Sequence, residues 1–182
     1  IFIFTQKNDS IFLNWFEPYS KDDNTEKRKF IATIDYRNNE PSFYSSNAEI
    51  FDFNGDGFGE IVFALNAGLS LHPRKLFIYD FKNDSLKSGE QLGTFLFGLI
   101  VGDFDSDGKY EITGSTSASK NVTQGDSILF SDQSGWLLLF DQNFELVNPA
   151  VEFFKSFDQV IVSEGLESNN PNIVVLNYSR GD

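Results

Sequence analysis

The stretch Asp52-Phe53-Asn54-Gly55-Asp56-Gly57-Phe58-Gly59-Glu60-Ile61 comes back 51 residues later as Asp103-Phe104-Asp105-Ser106-Asp107-Gly108-Lys109-Tyr110-Glu111-Ile112. In both copies, side chains that offer oxygen stand at positions 1, 3, 5 and 9, glycine stands at position 6, and apolar runs lie on either side. A chain presents oxygens to a hard cation in this way: alternate residues turn inward, glycine permits the bend, and a backbone carbonyl near position 7 adds one more ligand. The expected sites, two in number, are for calcium. The first takes Asp52, Asn54, Asp56, Glu60 and the carbonyl of Phe58; the second takes Asp103, Asp105, Asp107, Glu111 and the carbonyl of Lys109.

Two rival readings meet the same residues. Asn-Gly-Asp-Gly is also the composition of a solvent-facing hairpin turn, but two copies in one register, each followed by Glu-Ile, favour a metal loop. An EF-hand loop would close with a bidentate glutamate at position 12, where these loops carry Phe63 and Gly114. The flanks are also rich in strand formers and lack amphipathic helical periodicity.

Composition narrows the class. The chain has 182 residues, 40% hydrophobic and 16% aromatic, with 21 phenylalanines, which suits a globular all-β fold with a sizeable core. A net charge of -13 argues against nucleic acid or an anionic membrane surface as partner, since phosphates would be repelled. Cysteine is absent, so no disulfide reports a compartment. The apolar run around Thr94 to Gly102 is far shorter than the roughly 20 residues that span a bilayer, so no membrane insertion by this segment is expected. The chain starts with isoleucine and lacks methionine, which reads as a processed chain or an excised domain.

Repeats organise the rest. Ile1 to Phe4, then Lys7-Asn-Asp-Ser10, then Ile11, is echoed by Leu76 to Tyr79 and Lys82-Asn-Asp-Ser85, and more weakly by Leu137 to Phe140 with the turn Asp141-Gln-Asn-Phe144. Strands are expected at Phe30 to Tyr36, Glu60 to Leu65, Leu76 to Phe81, from about Leu86, and at Leu96 to Val101 and Glu111 to Gly114. Further strands are expected at Trp136 to Asp141, Leu146 to Phe154, Val160 to Val162 and Asn172 to Leu176. The polar segment Glu17 to Lys29 reads as an exposed insertion. Four short antiparallel strands in about 51 residues match the size of one β-propeller blade. The expected units are a partial blade with an insertion at 1–42, calcium-loop blades at 43–94 and 95–156, and a partial, degenerate blade at 157–182. Aligning Ile161 with Ile100 and Ile173 with Ile112 puts Glu164, Leu166, Ser168 and Asn172 at the metal positions of the last unit. Leucine cannot ligate through its side chain, so this loop is expected to be without its cation.

These residues resemble the FG-GAP or VCBS type of β-propeller repeat, also found in the head of integrin α chains. The resemblance covers both calcium-loop units and implies structural calcium at the loop before each second strand. Phe63 to Asp80 and Ser131 to Leu137 are also similar to extracytoplasmic repeat regions that precede membrane-bound bacterial sensor histidine kinases, which implies a sensory role outside the cytoplasm. The ninth position departs from the pattern, with glutamate where aspartate is frequent. About three blades' worth of strands is fewer than a closed propeller uses, so missing blades or another chain are expected to complete the ring.

The function expected is a non-catalytic recognition or sensor module for an unknown ligand or protein partner. The alternative is an accessory carbohydrate-binding or structural module of a secreted hydrolase or adhesin. No catalytic residue is singled out: His72 has no nucleophile pattern around it, and no carboxylate pair of glycosidase type stands out. Arg74 and His72, in the loop from Gly68, are the expected surface-recognition residues. Trp15, Trp136, Tyr44, Tyr79 and Tyr178 are expected mainly to fill space between blades. The tripeptide Arg180-Gly-Asp182 and the sequons at Asn8, Asn83, Asn121 and Asn177 carry little weight.

Overall fold

The computed structural model describes residues 1–16, 26–35, 43–68, 72–121, 128–153, 159–164 and 173–178. All regular structure among them is β, and the paired strands run antiparallel. The first sheet is a three-stranded meander of β1 (Phe2–Lys7), β2 (Ser10–Phe16) and β3 (Glu26–Thr33). Here the insertion expected from Glu17 to Lys29 is corrected at its end: Lys27, Arg28 and Lys29 pair with Trp15, Asn14 and Leu13. Their charges do not oppose a strand, because an edge strand tolerates lysine and arginine whose heads stay in water.

The second sheet contains β4 (Phe43–Ser45), β5 (Glu49–Phe51), β6 (Glu60–Ala67), β7 (Arg74–Asp80) and β8 (Ser85–Ser88). β4 and β5 share one edge of β6, opposite Leu65 to Ala67 and Glu60 to Val62 respectively, so the sheet is four strands wide. Every residue of β6 is buried, and the alternation of a strand explains how. Ile61, Phe63, Leu65 and Ala67 join Ile11, Leu13 and Ile31 of the first sheet in one core, while Val62 and Ala64 join Leu96, Leu99 and Ile112 in a second. The second sheet is therefore a middle layer whose central strands have both faces covered, which is why β6 and the middle of β7 read as continuous apolar runs.

The third group holds β9 (Phe95–Gly102), β10 (Glu111–Ser117), β11 (Gly135–Leu137), β12 (Leu139–Phe140), β13 (Val151–Phe153), β14 (Gln159–Glu164) and β15 (Ile173–Tyr178). The strand expected from Trp136 to Asp141 is broken at Leu138, because β11 pairs with β13 whereas β12 pairs with β10. Hydroxyls bridge the break: Thr116 Oγ1 accepts from Trp136 N at 2.8 Å and donates to Trp136 O at 2.7 Å, and Thr113 Oγ1 donates to Leu138 O at 2.7 Å. Of the strand expected from Leu146 to Phe154, the described residues, which stop at Phe153, form β13 and a bridge between Leu146 and Phe140, since Pro149 has no amide to give a ladder.

β14 pairs with β10 at Thr116 and Ser117, so the expected boundary at 157 falls next to a strand that joins the preceding sheet. Within the hairpin that follows, Ile161 stands opposite Leu176, where the alignment of Ile173 with Ile112 requires Val174. Glu164 pairs with Ile173 as Phe51 pairs with Glu60 and Gly102 with Glu111, so the expected alignment of this unit is one residue off. No sheet closes on itself among the described residues, and none of them forms a helix long and apolar enough to cross a membrane.

Candidate metal centres

Each repeated stretch is the connection of a hairpin, and the two hairpins have one register. Phe51 pairs with Glu60 and Ile50 with Ile61; Gly102 pairs with Glu111 and Val101 with Ile112. The backbone repeats too. Position 4 is left-handed in both (Gly55 φ 72°, Ser106 φ 63°), and so is position 6 (Gly57 φ 82°, Gly108 φ 83°). Glycine at position 6 meets that requirement without a Cβ penalty, whereas Ser106 adopts a conformation that non-glycine residues rarely take. Each hairpin is also irregular at the same distance before its loop. Ser46 to Ala48 separates β4 from β5, and the β9–β10 ladder shifts between Thr113 and Ser115, beside Gly98.

Inside the first loop, backbone amides orient the side chains. Asp52 accepts from the amides of Asp56 (3.1 Å) and Gly57 (2.9 Å), Asn54 Oδ1 from Asp56 N (2.9 Å), and Asp56 Oδ1 from Phe58 N (2.9 Å). The second loop repeats three of these: Gly108 N to Asp103 (3.0 Å), Asp107 N to Asp105 (3.1 Å) and Lys109 N to Asp107 (2.8 Å). The ninth residue closes each base, with Phe53 N donating to Glu60 Oε2 at 2.8 Å and Phe104 N to Glu111 Oε2 at 2.7 Å. Glu60 and Glu111 are only 3% and 2% exposed. Burial pushes both carboxyls above the ordinary glutamate value, the amides of Phe53 and Phe104 hold them down in part, and neighbouring aspartates add to the rise.

The result is two acidic clusters able to hold a cation. One carboxylate oxygen each from Asp52, Asp56 and Glu60, and likewise from Asp103, Asp105 and Glu111, lie within 4.8 Å of one another. Oxygens that surround calcium at about 2.3–2.6 Å stand no more than about 5 Å apart, so the spacing fits that ion. An orphaned atom points the same way: Asp103 Oδ1 is buried with no hydrogen-bond partner among the described residues, a costly state that a cation would relieve.

The clusters do not use every expected residue. Asn54 Nδ2 donates to Glu60 Oε1 at 3.1 Å, which ties it to the group. Asp107 stays outside the second cluster and faces Lys109, whose Nζ is 2.9 Å from Oδ2 and holds the Asp107 carboxyl below its usual range. At position 7, the amides of Phe58 and Lys109 donate within the loops. Lys82, from the turn after β7, reaches Asp56 Oδ2 at 2.9 Å, and Asp80 adds negative charge beside Glu60. Neither is legible from the loop motif, because the turn is brought there by strand pairing. In the third copy, Glu164 ends β14, while Leu166, Ser168, Asn172 and the tripeptide at 180–182 lie outside the described residues.

The expectation for Arg74 is overturned. Its side chain is 0% exposed and so is that of Asp132, with Nη1 and Oδ2 3.0 Å apart. Arg74 also donates to the carbonyls of Ala67, Gly68 and Gly93 and lies over the Phe95 ring. Burial lowers the guanidinium pKa and the Asp132 pairing opposes that. This residue fastens the second sheet to the third and has no free head for a ligand.

Against models of protein families, curated proteins and solved structures, the chain matches none.

Proposed function

We propose that the chain is a calcium-stabilised recognition or sensor module of β-propeller type, non-catalytic, working outside the cytoplasm. The observation that carries it is the double acidic loop: two carboxylate clusters built on hairpins of equal register and equal left-handed positions. The propeller reading is supported by antiparallel sheets stacked face to face about two shared cores, the middle one four strands wide. Ring closure would need further strands, from missing blades or another chain.

Calcium would neutralise carboxylates that otherwise repel one another and would hold each loop in one shape. The metal has a structural part, and recognition belongs to other surfaces. Titration of calcium into metal-free protein tests the reading by calorimetry: two sites are expected, one lost in Asp52→Ala and the other in Asp103→Ala. Absence of heat, or magnesium binding as tightly as calcium, contradicts it.

A further inference from the structure

We infer that the gap between β7–β8 and the β12 turn is a binding site for a small aromatic or alkyl ammonium compound. The cavity measures about 300 Å³, roughly twice the ~150 Å³ that takes benzene. Its floor is Leu76, Leu92 and Phe140, all part of the second core. Its walls are Phe130 and Phe144. It opens between Leu129 and Leu146, which are 53% and 37% exposed.

The charge on the rim selects the ligand. Among the described residues that line the cavity, Glu90 and Glu145 carry the only charges, both negative and both exposed. An apolar ligand with an anionic head would be repelled; one with an ammonium head would meet two carboxylates beside two phenyl rings. The backbone of the walls is a second, independent observation. Phe130 (φ 53°) sits in the left-handed region, where a bulky side chain is an outlier, and Phe144 (φ 66°) takes the same conformation at the end of the turn 141–144, as Asp84 does in its own turn. Such conformations collect at ligand sites. Gly89 makes room for one of them, since a Cβ there would come within 3.1 Å of Phe144 Cβ. The carbonyls of Leu129 and Phe130 accept from Gly93 N and Thr94 N, both at 2.7 Å, which fixes the other wall.

None of these residues belongs to the acidic loops, so the site stands whether or not calcium binds there. The test is calorimetric titration of the whole chain with 2-naphthylmethylammonium, 2-naphthylmethanol and 2-naphthoate. The ammonium should bind about fivefold more tightly than the alcohol, and the carboxylate most weakly. The double variant Glu90→Gln/Glu145→Gln should erase that preference with an unchanged melting curve. Phe144→Gly removes a wall at a position whose backbone favours glycine, and should weaken the ammonium and the alcohol alike. No binding of the ammonium, equal binding of all three probes, or a preference that survives the double variant would each overturn the proposal.

Discussion

Arg74 and Asp132 form an ion pair from which water is excluded, and the surrounding carbonyls and hydroxyl decide what it is worth. Asp132 Oδ2 accepts from Arg74, from Ser119 Oγ at 2.6 Å and from the Asn121 amide at 2.8 Å. Removing one partner leaves the other charge buried, so Asp132→Ala should cost about 3–5 kcal/mol, read by urea unfolding; a loss below about 1 kcal/mol would mean that the pair is not buried as described. Local sequence could not show this, because Arg74 stands next to Pro73 in what reads as a loop and its partner lies 58 residues on. Two asparagines act across the same boundary. Asn66 bonds both N and O of Leu96, and Asn47 bonds both N and O of Leu99, so each amide stands in for a neighbouring strand on β9. Tyr79 offers a milder test, as its hydroxyl is 2.7 Å from exposed Asp84 Oδ1. Since water can replace it at Asp84, Tyr79→Phe should cost only about 0.5–1.5 kcal/mol in the same assay.

At the scale of elements, the strand–loop–strand hairpins around the acidic loops were legible, because period-two burial and the oxygen-bearing pattern are local properties. The breaks were not. β11 and β12 separate because different partners claim them, and β14 joins β10 although a long segment of chain intervenes; such pairings depend on contacts distant in sequence. The irregularity in β9–β10 yields a prediction of its own. A Cβ on Gly114 would stand 2.9 Å from the Phe97 carbonyl oxygen and 3.0 Å from Leu99 Cδ2, so Gly114→Ala must push the strands apart. A loss of about 1–3 kcal/mol is expected in chemical unfolding, and an unchanged midpoint would argue against the close approach. The loops themselves share one end of the stack, as Phe51 just before the first lies 4.2 Å from the Tyr110 ring inside the second. Metal bound in one loop would therefore order a surface on which the other rests.

For the whole molecule, stability should follow calcium and pH together. Without metal, the raised pKa values of Glu60 and Glu111 mean that the fold prefers them protonated. That contribution is complete below the unfolded glutamate value and is lost as pH rises through the higher folded values. Calcium requires the ionised form, so its benefit fades as pH falls through the same window. The gap in melting temperature between calcium-loaded and chelator-treated protein should widen from about pH 4.5 to pH 7; a gap independent of pH would remove Glu60 and Glu111 from the metal shell. The most direct measurement is the melting curve of the chain in calcium and in chelator at pH 7. With calcium at about 100 times its dissociation constant, each site adds about 2.7 kcal/mol, so two sites should raise the midpoint by roughly 10–20 °C. Superimposable curves would show that the repeated acidic loops are turns and hold no metal.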